Sequence, residues 1–413
     1  MSRKFIVSVW GLDGDTVNEG SARVFMNAWL SMCQSVNVLI INTGKNEITV
    51  SHGKNGCLEM RVAIPRISNS KFARALSYRL FGDLAPSVLL NVDSLFFSLI
   101  SLIRFRGAFA RANRIHTYHF WFVFLSIFFP SLRKKMIYTE LGGEWILVAK
   151  SRASKVIKLR YAYLGRWVLG RVKVIAQSET NKRDMVRCGI PSSNLVVVQH
   201  ARVDPNLFRP TVPKSTAVFN VLYVGRIVPQ KGLHILAEAS NILVNRLGVC
   251  NVIFTVIGPV GGFGINGTTG YYKRVLHYIY EHSLTAHYKF MGHIPINELI
   301  DAYSRANVYV LPSTQDAFPF SVIEAQMCGT PVIGTRSGGM VEMIKDGVTG
   351  FLIPVEDPVT LAEKLEFLYS HPEECDKMGA NAREWAVSRF STRTFADELM
   401  KALFDNQGGL DAL

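Results

Sequence analysis

Along the whole chain, short apolar runs rich in β-branched residues alternate with amphipathic segments of helix length. A strand, a crossover helix and a second strand make up the unit of a parallel sheet, so this alternation predicts an α/β protein. The strand candidates in the first half are residues 5–10, 37–42, 135–139, 172–176 and 195–199. Those in the second half are 218–225, 251–258, 287–293, 306–313 and 330–335. At 413 residues, two doubly wound Rossmann-like domains accommodate these strands better than one. Pro205, Pro210 and Pro213 break both kinds of regular structure and place a linker at 206–216. The expected organisation is a first domain over 1–205, a second over 217–385, and a C-terminal helix over 386–413 that packs back toward the first domain.

The charge is unevenly divided. Residues 1–210 hold 30 Lys and Arg against 12 Asp and Glu, or +18, whereas residues 211–413 hold 16 against 20, or −4. The first half is therefore expected to meet something anionic: a phospholipid surface, a phosphorylated acceptor or nucleic acid. The six cysteines, at 33, 57, 188, 250, 328 and 375, have neither metal-ligand spacing nor the density of a disulfide framework, which suggests free thiols in a reducing, cytoplasmic setting. The apolar stretch Phe5–Trp10 reads as a first strand and not as a signal peptide. Residues 84–103 contain Pro86, Asn91 and Asp93, and 118–129 fall short of the ~20 residues that span a bilayer, so no transmembrane helix is expected.

The sharpest chemical signal is VGRIVPQKG, residues 224–232, where a strand should end and a helix begin. Open α/β sheets bind ligands beyond the carboxyl ends of their strands, and a helix start offers unpaired N–H groups to phosphate. Arg226 as a forked donor and Lys231 as a point charge would neutralise a diphosphate without a metal. Further on, PSTQDAFPFSVIEAQMCGTPVIGTRSGG (312–339) follows another strand and sets Asp316 and Glu324 eight positions apart on either side of a proline-containing turn. A carboxylate can accept hydrogen bonds from two adjacent ribose hydroxyls, so Glu324, read as the head of a helix EAQMCG, suits nucleoside recognition; it could also cap its own helix. Gly338 and Gly339 permit either a tight turn or a close approach to a ligand.

These segments, together with residues 178–210 and 292–313, resemble family 4 of the retaining glycosyltransferases, also called glycosyl transferases group 1, whose signature is an acid followed eight residues later by glutamate. The resemblance implies the GT-B fold: two Rossmann-like doubly wound domains with an interdomain cleft. It implies transfer of a sugar from a nucleotide-sugar donor to the hydroxyl of a saccharide or lipid-linked acceptor, with retention of configuration and no cofactor or metal. It also implies that Glu324 holds the ribose, Asp316 contacts the donor sugar, Arg226 and Lys231 hold the diphosphate, and Gly20, Phe318 and Pro319 complete the donor site. An active-site histidine is implied early in the chain. RIHTYHFWF (114–122) offers His119, preferred, and His116, although either could instead be a hydrogen-bonded core histidine. The sequence departs from the family pattern at Asp316, where glutamate is usual, at Ser21 after Gly20, at Ala201–Arg202, and at Leu141.

Two motifs point elsewhere. GFGING (262–267) satisfies GxGxxG after a strand, but Thr268, Thr269 and Gly270 suggest a longer loop instead of an immediate helix, and no acid follows about 20 residues on, which argues against an oxidoreductase. Asp13 and Asp15 resemble a metal-binding acid pair, yet they fall in a chain whose diphosphate site is cationic. Residues 150–173 carry eight basic residues and no acid, with Val156, Leu159, Tyr163, Trp167 and Val168 at helical spacing. This segment is either an amphipathic helix at an anionic membrane surface or one packed on the core with solvated cations. The first reading makes the protein peripheral at the inner face of the membrane, and it sustains an alternative function: a non-catalytic membrane-surface binding protein on the same fold. No recognised nucleic-acid-binding fold accompanies the charge, so no nucleic-acid partner is expected.

Overall fold

The structure is a computed structural model and describes residues 4–9, 36–44, 49–52, 58–63, 85–140, 163–199, 203–214, 217–260 and 268–404. The chain divides into two units, Met1–Gln199 with Phe395–Leu413, and His200–Thr394. In the first unit, β1 (Lys4–Val9), β2 (Val36–Gly44), β3 (Thr49–His52), β4 (Leu58–Ala63), β5 (Arg114–Thr117), β6 (Met136–Thr139), β7 (Lys173–Ala176) and β8 (Leu195–Val197) form one sheet in the order β3-β4-β2-β1-β5-β6-β7-β8. All neighbours are parallel except the antiparallel pair β3 and β4. The second unit carries β9 (Phe219–Val224), β10 (Val252–Ile257), β11 (Tyr288–Gly292), β12 (Val308–Leu311), β13 (Val332–Thr335) and β14 (Gly350–Ile353), all parallel, in the order β11-β10-β9-β12-β13-β14. Every residue of β12, β13 and β14 is buried, as expected for a parallel sheet covered by helices on both faces.

Strands β3, β4, β5 and β14 were not expected from the sequence; three of them are four residues long, too short to establish a periodicity. Helix Thr268–Glu281 begins immediately after Gly267, which corrects the longer loop expected there; the glycine-rich residues 261–267 lie outside the described residues. The proline-rich stretch is packed onto the second unit and does not run free. Phe208 is buried in that unit's core, and Thr211 Oγ1 donates to Asp301 Oδ1 at 2.7 Å. Helix Thr392–Phe404 buries Phe395, Leu399 and Leu403 against Ile6, Ile137 and Ile175 of the first sheet. The carbonyls of Leu403 and Ala402 at its C-terminal end accept hydrogen bonds from Arg114 and Lys173, where cations suit the helix dipole.

Apart from the antiparallel edge pair β3 and β4, each sheet reverses its winding once. In the second unit the chain moves outward from β9 through β10 to β11, then returns and moves the other way from β12 through β13 to β14, so the switch lies between β9 and β12. In the first unit the corresponding place lies between β1 and β5. The loops leaving these strands at their carboxyl ends flank the crevices where open α/β sheets take ligands.

Candidate functional site

The β9 loop is held against the β12 loop by several independent contacts. The Gln230 carbonyl accepts from the Thr314 amide at 2.9 Å and from Ser313 Oγ at 2.9 Å. Gly232, at φ +74°, ends the 3₁₀ turn Pro229–Lys231 and precedes helix Leu233–Asn241; a Cβ at this position would overlap the Pro312 carbonyl. Glycine is needed there both for its left-handed backbone and for the close approach of the two loops. Behind the loops, the Tyr223 hydroxyl donates to the Arg226 carbonyl at 3.3 Å, and the Tyr309 hydroxyl lies 3.1 Å from the Val224 carbonyl and 2.7 Å from Ser321 Oγ. Both rings are fully buried, and burial keeps both phenols protonated by raising their pKa.

This frame brings Lys231 and Asp316 into a direct ion pair across the switch point, with both side chains largely buried. The sequence carries no sign of this pairing: its resemblance to the family implies separate contacts, Lys231 to diphosphate and Asp316 to sugar. Arg226 is exposed, and its guanidinium has no ion pair among the described residues. The turn that carries Asp316 is shaped by Gly338, at φ +55°, where any Cβ would overlap the Asp316 carbonyl, and that carbonyl accepts the Gly339 amide at 3.2 Å. The glycine pair thus serves the loop's own backbone.

Glu324 is the fifth residue of helix Phe320–Met327, which corrects its reading as a helix head and removes the capping alternative. It is half-buried, and Oε2 accepts a hydrogen bond from the Tyr303 hydroxyl at 2.8 Å. Burial pushes the Glu324 pKa up to about 7, an effect the Tyr303 bond partly offsets. Phe318 does not offer its ring to a ligand: the side chain is buried edge-on against Phe320 and Phe390. Pro319 is buried at the N-cap of the Glu324 helix. Any donor contact from these two therefore uses the backbone.

The first unit separates its two histidines. His116, in β5, is fully buried; Nδ1 lies 3.1 Å from Ser8 Oγ, Nε2 lies 2.7 Å from Thr139 Oγ1, and burial lowers its pKa to about 3. It is a neutral core histidine. His119 follows β5, caps helix Phe120–Ser126, is half-buried edge-on to Phe97, and has Nδ1 3.3 Å from Ser98 Oγ. It stands at the carboxyl end of the strand that borders the first unit's switch point. Gly20, Asp13 and Asp15 lie outside the described residues.

An aromatic face covers helix Phe120–Ser126 and its surroundings. Trp121 meets Phe124 at 5.5 Å, Phe124 meets Phe128 at 5.7 Å, and both phenylalanines meet Trp167 at 6.4 Å. Phe128, Phe129, Tyr163 and Trp167 are exposed, and Arg171 stacks on Trp167 at 4.7 Å. Residues 94–135 and 163–178 contain ten Lys and Arg and no Asp or Glu. Of the basic segment 150–173, residues 150–162 lie outside the described residues, whereas Val168 is buried in the core. No helix among the described residues is long and apolar enough to cross a membrane.

Comparison with known proteins places these features in context. Residues 207–385 match the family model of glycosyl transferases group 1. D-inositol 3-phosphate glycosyltransferase of Streptomyces bingchenggensis is 30% identical over 226 residues, which make up 52% of this chain and 49% of that protein. The chain thus spans about half the length of the curated relatives it matches. Sucrose-phosphate synthase from Thermosynechococcus elongatus superposes with a TM-score of 0.72 at 20% identity, covering 96% of this chain and 98% of that one. Anabaena HepE in complex with UDP and glucose superposes with a TM-score of 0.67 at 16% identity, covering 97% and 99%. The fold is GT-B.

Proposed function

We propose that this protein is a retaining glycosyltransferase that moves a sugar from a nucleoside-diphosphate sugar to an acceptor hydroxyl, on a glycolipid or a growing polysaccharide. The single observation that carries the proposal is the Lys231–Asp316 ion pair across the β9/β12 switch point, on the same loop after β9 as the exposed Arg226. A diphosphate arriving there meets two cations on fixed loops, and the carboxylate already paired with one of them lies where the donor sugar would follow. In the reaction the acceptor oxygen bonds to the anomeric carbon while the bond from that carbon to the diphosphate oxygen breaks, and the proton of the acceptor hydroxyl passes to the departing phosphate oxygen. The nucleoside diphosphate leaves from the face that the acceptor enters. Arg226 and Lys231 stabilise the charge growing on the leaving phosphate, an effect greater in the transition state than in the ground state. Those cations take the place of a metal, so no metal is required. Glu324 holds the ribose hydroxyls, His119 belongs to the acceptor side, and Gly20 and the backbone of Phe318 and Pro319 complete the donor contacts.

The acceptor is presented at an anionic membrane surface on the cytoplasmic side, a reading supported by the exposed aromatic cluster inside an acid-free basic region. A soluble phosphorylated acceptor is a second reading, favoured by the relative named for D-inositol 3-phosphate. Titration calorimetry of UDP, GDP, ADP and their glucose conjugates, followed by assay for slow donor hydrolysis, tests the donor assignment. Micromolar binding of one nucleotide that Lys231→Ala abolishes is the expected result, and failure of all of them to bind would leave the non-catalytic membrane-binding reading in its place.

A further inference from the structure

We infer that Tyr303 is a positioning residue for the nucleotide: its buried hydroxyl holds one carboxylate oxygen of Glu324, leaving Oε1 as the oxygen available to the ribose diol. The inference rests on the donor-site reading above. Tyr303 belongs to helix Ile296–Arg305, on a different element from Glu324, and is fully buried. Its ring packs edge-on with Tyr309 at 5.8 Å and with Phe208 at 6.4 Å, contacts that a phenylalanine would make equally well. Its carbonyl accepts from Thr330 Oγ1 at 2.6 Å, which fixes the helix behind the site. The hydroxyl is the only part of the side chain that packing does not account for. A buried phenol must have a partner, and here that partner is a carboxylate, at 2.8 Å.

Glutamate has three side-chain torsions, and a half-buried one with no partner would sample several staggered rotamers. Donation from a fixed phenol selects one of them before the nucleotide arrives, and preorganisation of this kind strengthens binding. The bond also favours the ionised carboxylate, the form that accepts from both ribose hydroxyls. The other titratable groups around Glu324 do not supply this. Tyr309 is directed at Val224 and Ser321, and the Cys328 thiol is held protonated by burial. From the adjoining helix Pro372–Phe390, Arg383 donates to the carbonyls of Met327 and Phe208. From helix Met340–Met343 the charged group is Glu342, which is half-buried and is an acceptor, so it cannot donate to the Glu324 carboxylate.

The test is calorimetric titration of UDP, GDP and ADP between pH 5.5 and 9 into wild type, Tyr303→Phe, Glu324→Gln and the double variant, with thermal melts to confirm folding. Tyr303→Phe should weaken the nucleotide that binds by about 5- to 10-fold at pH 7.5 and move the acid limb of the binding profile to higher pH. In steady state it should raise KM by the same factor and leave kcat nearly unchanged. In the Glu324→Gln background the same change should have no further effect. Fluorination of Tyr303, which makes the phenol a stronger donor, should move the acid limb the opposite way and keeps the test open if Tyr303→Phe does not fold. Binding within twofold of wild type with an unmoved acid limb, or an equal loss in the Glu324→Gln background, would reduce Tyr303 to a packing residue. If Glu324→Gln itself binds the nucleotide like wild type, or UDP, GDP and ADP all fail to bind wild type, the donor-site reading fails and Tyr303 loses its role with it.

Discussion

The two sheets set opposite chemistry at the same topological place. At the β9/β12 switch point a lysine and an aspartate are paired on tightly joined loops, and a glutamate nearby is pushed toward neutrality by burial. Beside the β1/β5 switch point, His116 is locked between two hydroxyls and kept neutral, whereas His119 lies half-buried beyond the strand end. On the proposed function the difference would follow from what each side has to recognise: a nucleoside diphosphate carries the same charge whatever sugar is attached, so fixed cations would serve it, whereas an acceptor varies.

The largest effect should come from the cations. Removing a charged partner from a desolvated pair costs roughly 2–5 kcal/mol. Lys231→Ala, which also leaves Asp316 without its partner, should therefore lower kcat/KM by about 30-fold or more, and Arg226→Ala by a similar factor. Steady-state kinetics within threefold of wild type for both would erase the contrast between the two switch points. Next in size, the two histidines should separate cleanly. His116→Ala removes a buried ring with two hydroxyl partners and should lower stability by about 2–4 kcal/mol, seen as a fall in Tm. His119→Ala should leave Tm nearly unchanged and reduce turnover at saturating donor. If His116→Ala spares Tm but abolishes turnover, the assignment of the two is reversed.

How much of this could be read from the sequence depended on the length of each signal. The second sheet's strands are apolar on both faces and flanked by Gly and Pro, so β9 to β13 stand out, and VGRIVPQKG reads as a candidate ligand loop only in company with the Asp316–Glu324 segment, since alone its cations could be solvated surface charges. What escaped was set by three-dimensional contact. The Lys231–Asp316 pair joins residues 85 positions apart, and the Tyr303–Glu324 bond links two helices; neither leaves a local trace. The tyrosines in LYVG and VYVLPS were the one available signal, since a phenol inside an otherwise aliphatic strand must direct its hydroxyl at something. The sequence reading of Glu324 as a helix head fails because Pro319, which reads as part of a turn, is the N-cap from which the helix starts.

A smaller effect concerns pH, with opposite signs in the two units. The His116 pKa is depressed from 6.5 to about 3, so the folded state binds fewer protons than the unfolded chain and stability is lost as pH falls from 6.5 toward 3. The Glu324 pKa is raised from 4.5 to about 7, so the folded state binds more protons and stability is lost as pH rises from 4.5 to 7. Glu324→Gln should therefore stabilise the ligand-free protein at pH 8 by about 1–2 kcal/mol, a few degrees in Tm, while weakening nucleotide binding. At pH 4.5 its Tm should match wild type. A Tm difference independent of pH would show that Glu324 is already ionised at no cost and would remove this trade between stability and binding.

The smallest effect per residue should be at the basic, aromatic surface of the first unit, and it extends the charge comparison from the site to whole halves of the chain, +18 against −4. Basic side chains at an anionic bilayer contribute about 1 kcal/mol each within a Debye length, and exposed aromatics lodge at the headgroup boundary. The two contributions differ in their response to salt, so they can be separated. Wild type should float with anionic vesicles at low salt, less with neutral ones, and progressively less as salt screens the charge. Reversing Lys134, Arg166 and Arg171 to glutamate should remove most of the salt-sensitive part. Trp167→Ser with Phe128→Ser should reduce the part that persists at high salt. A soluble phosphorylated acceptor predicts a different pattern: no flotation with any vesicle, and loss of acceptor affinity in the charge reversals but not in the aromatic pair. Equal flotation of wild type and the triple reversal would mean that the basic half does not meet a membrane.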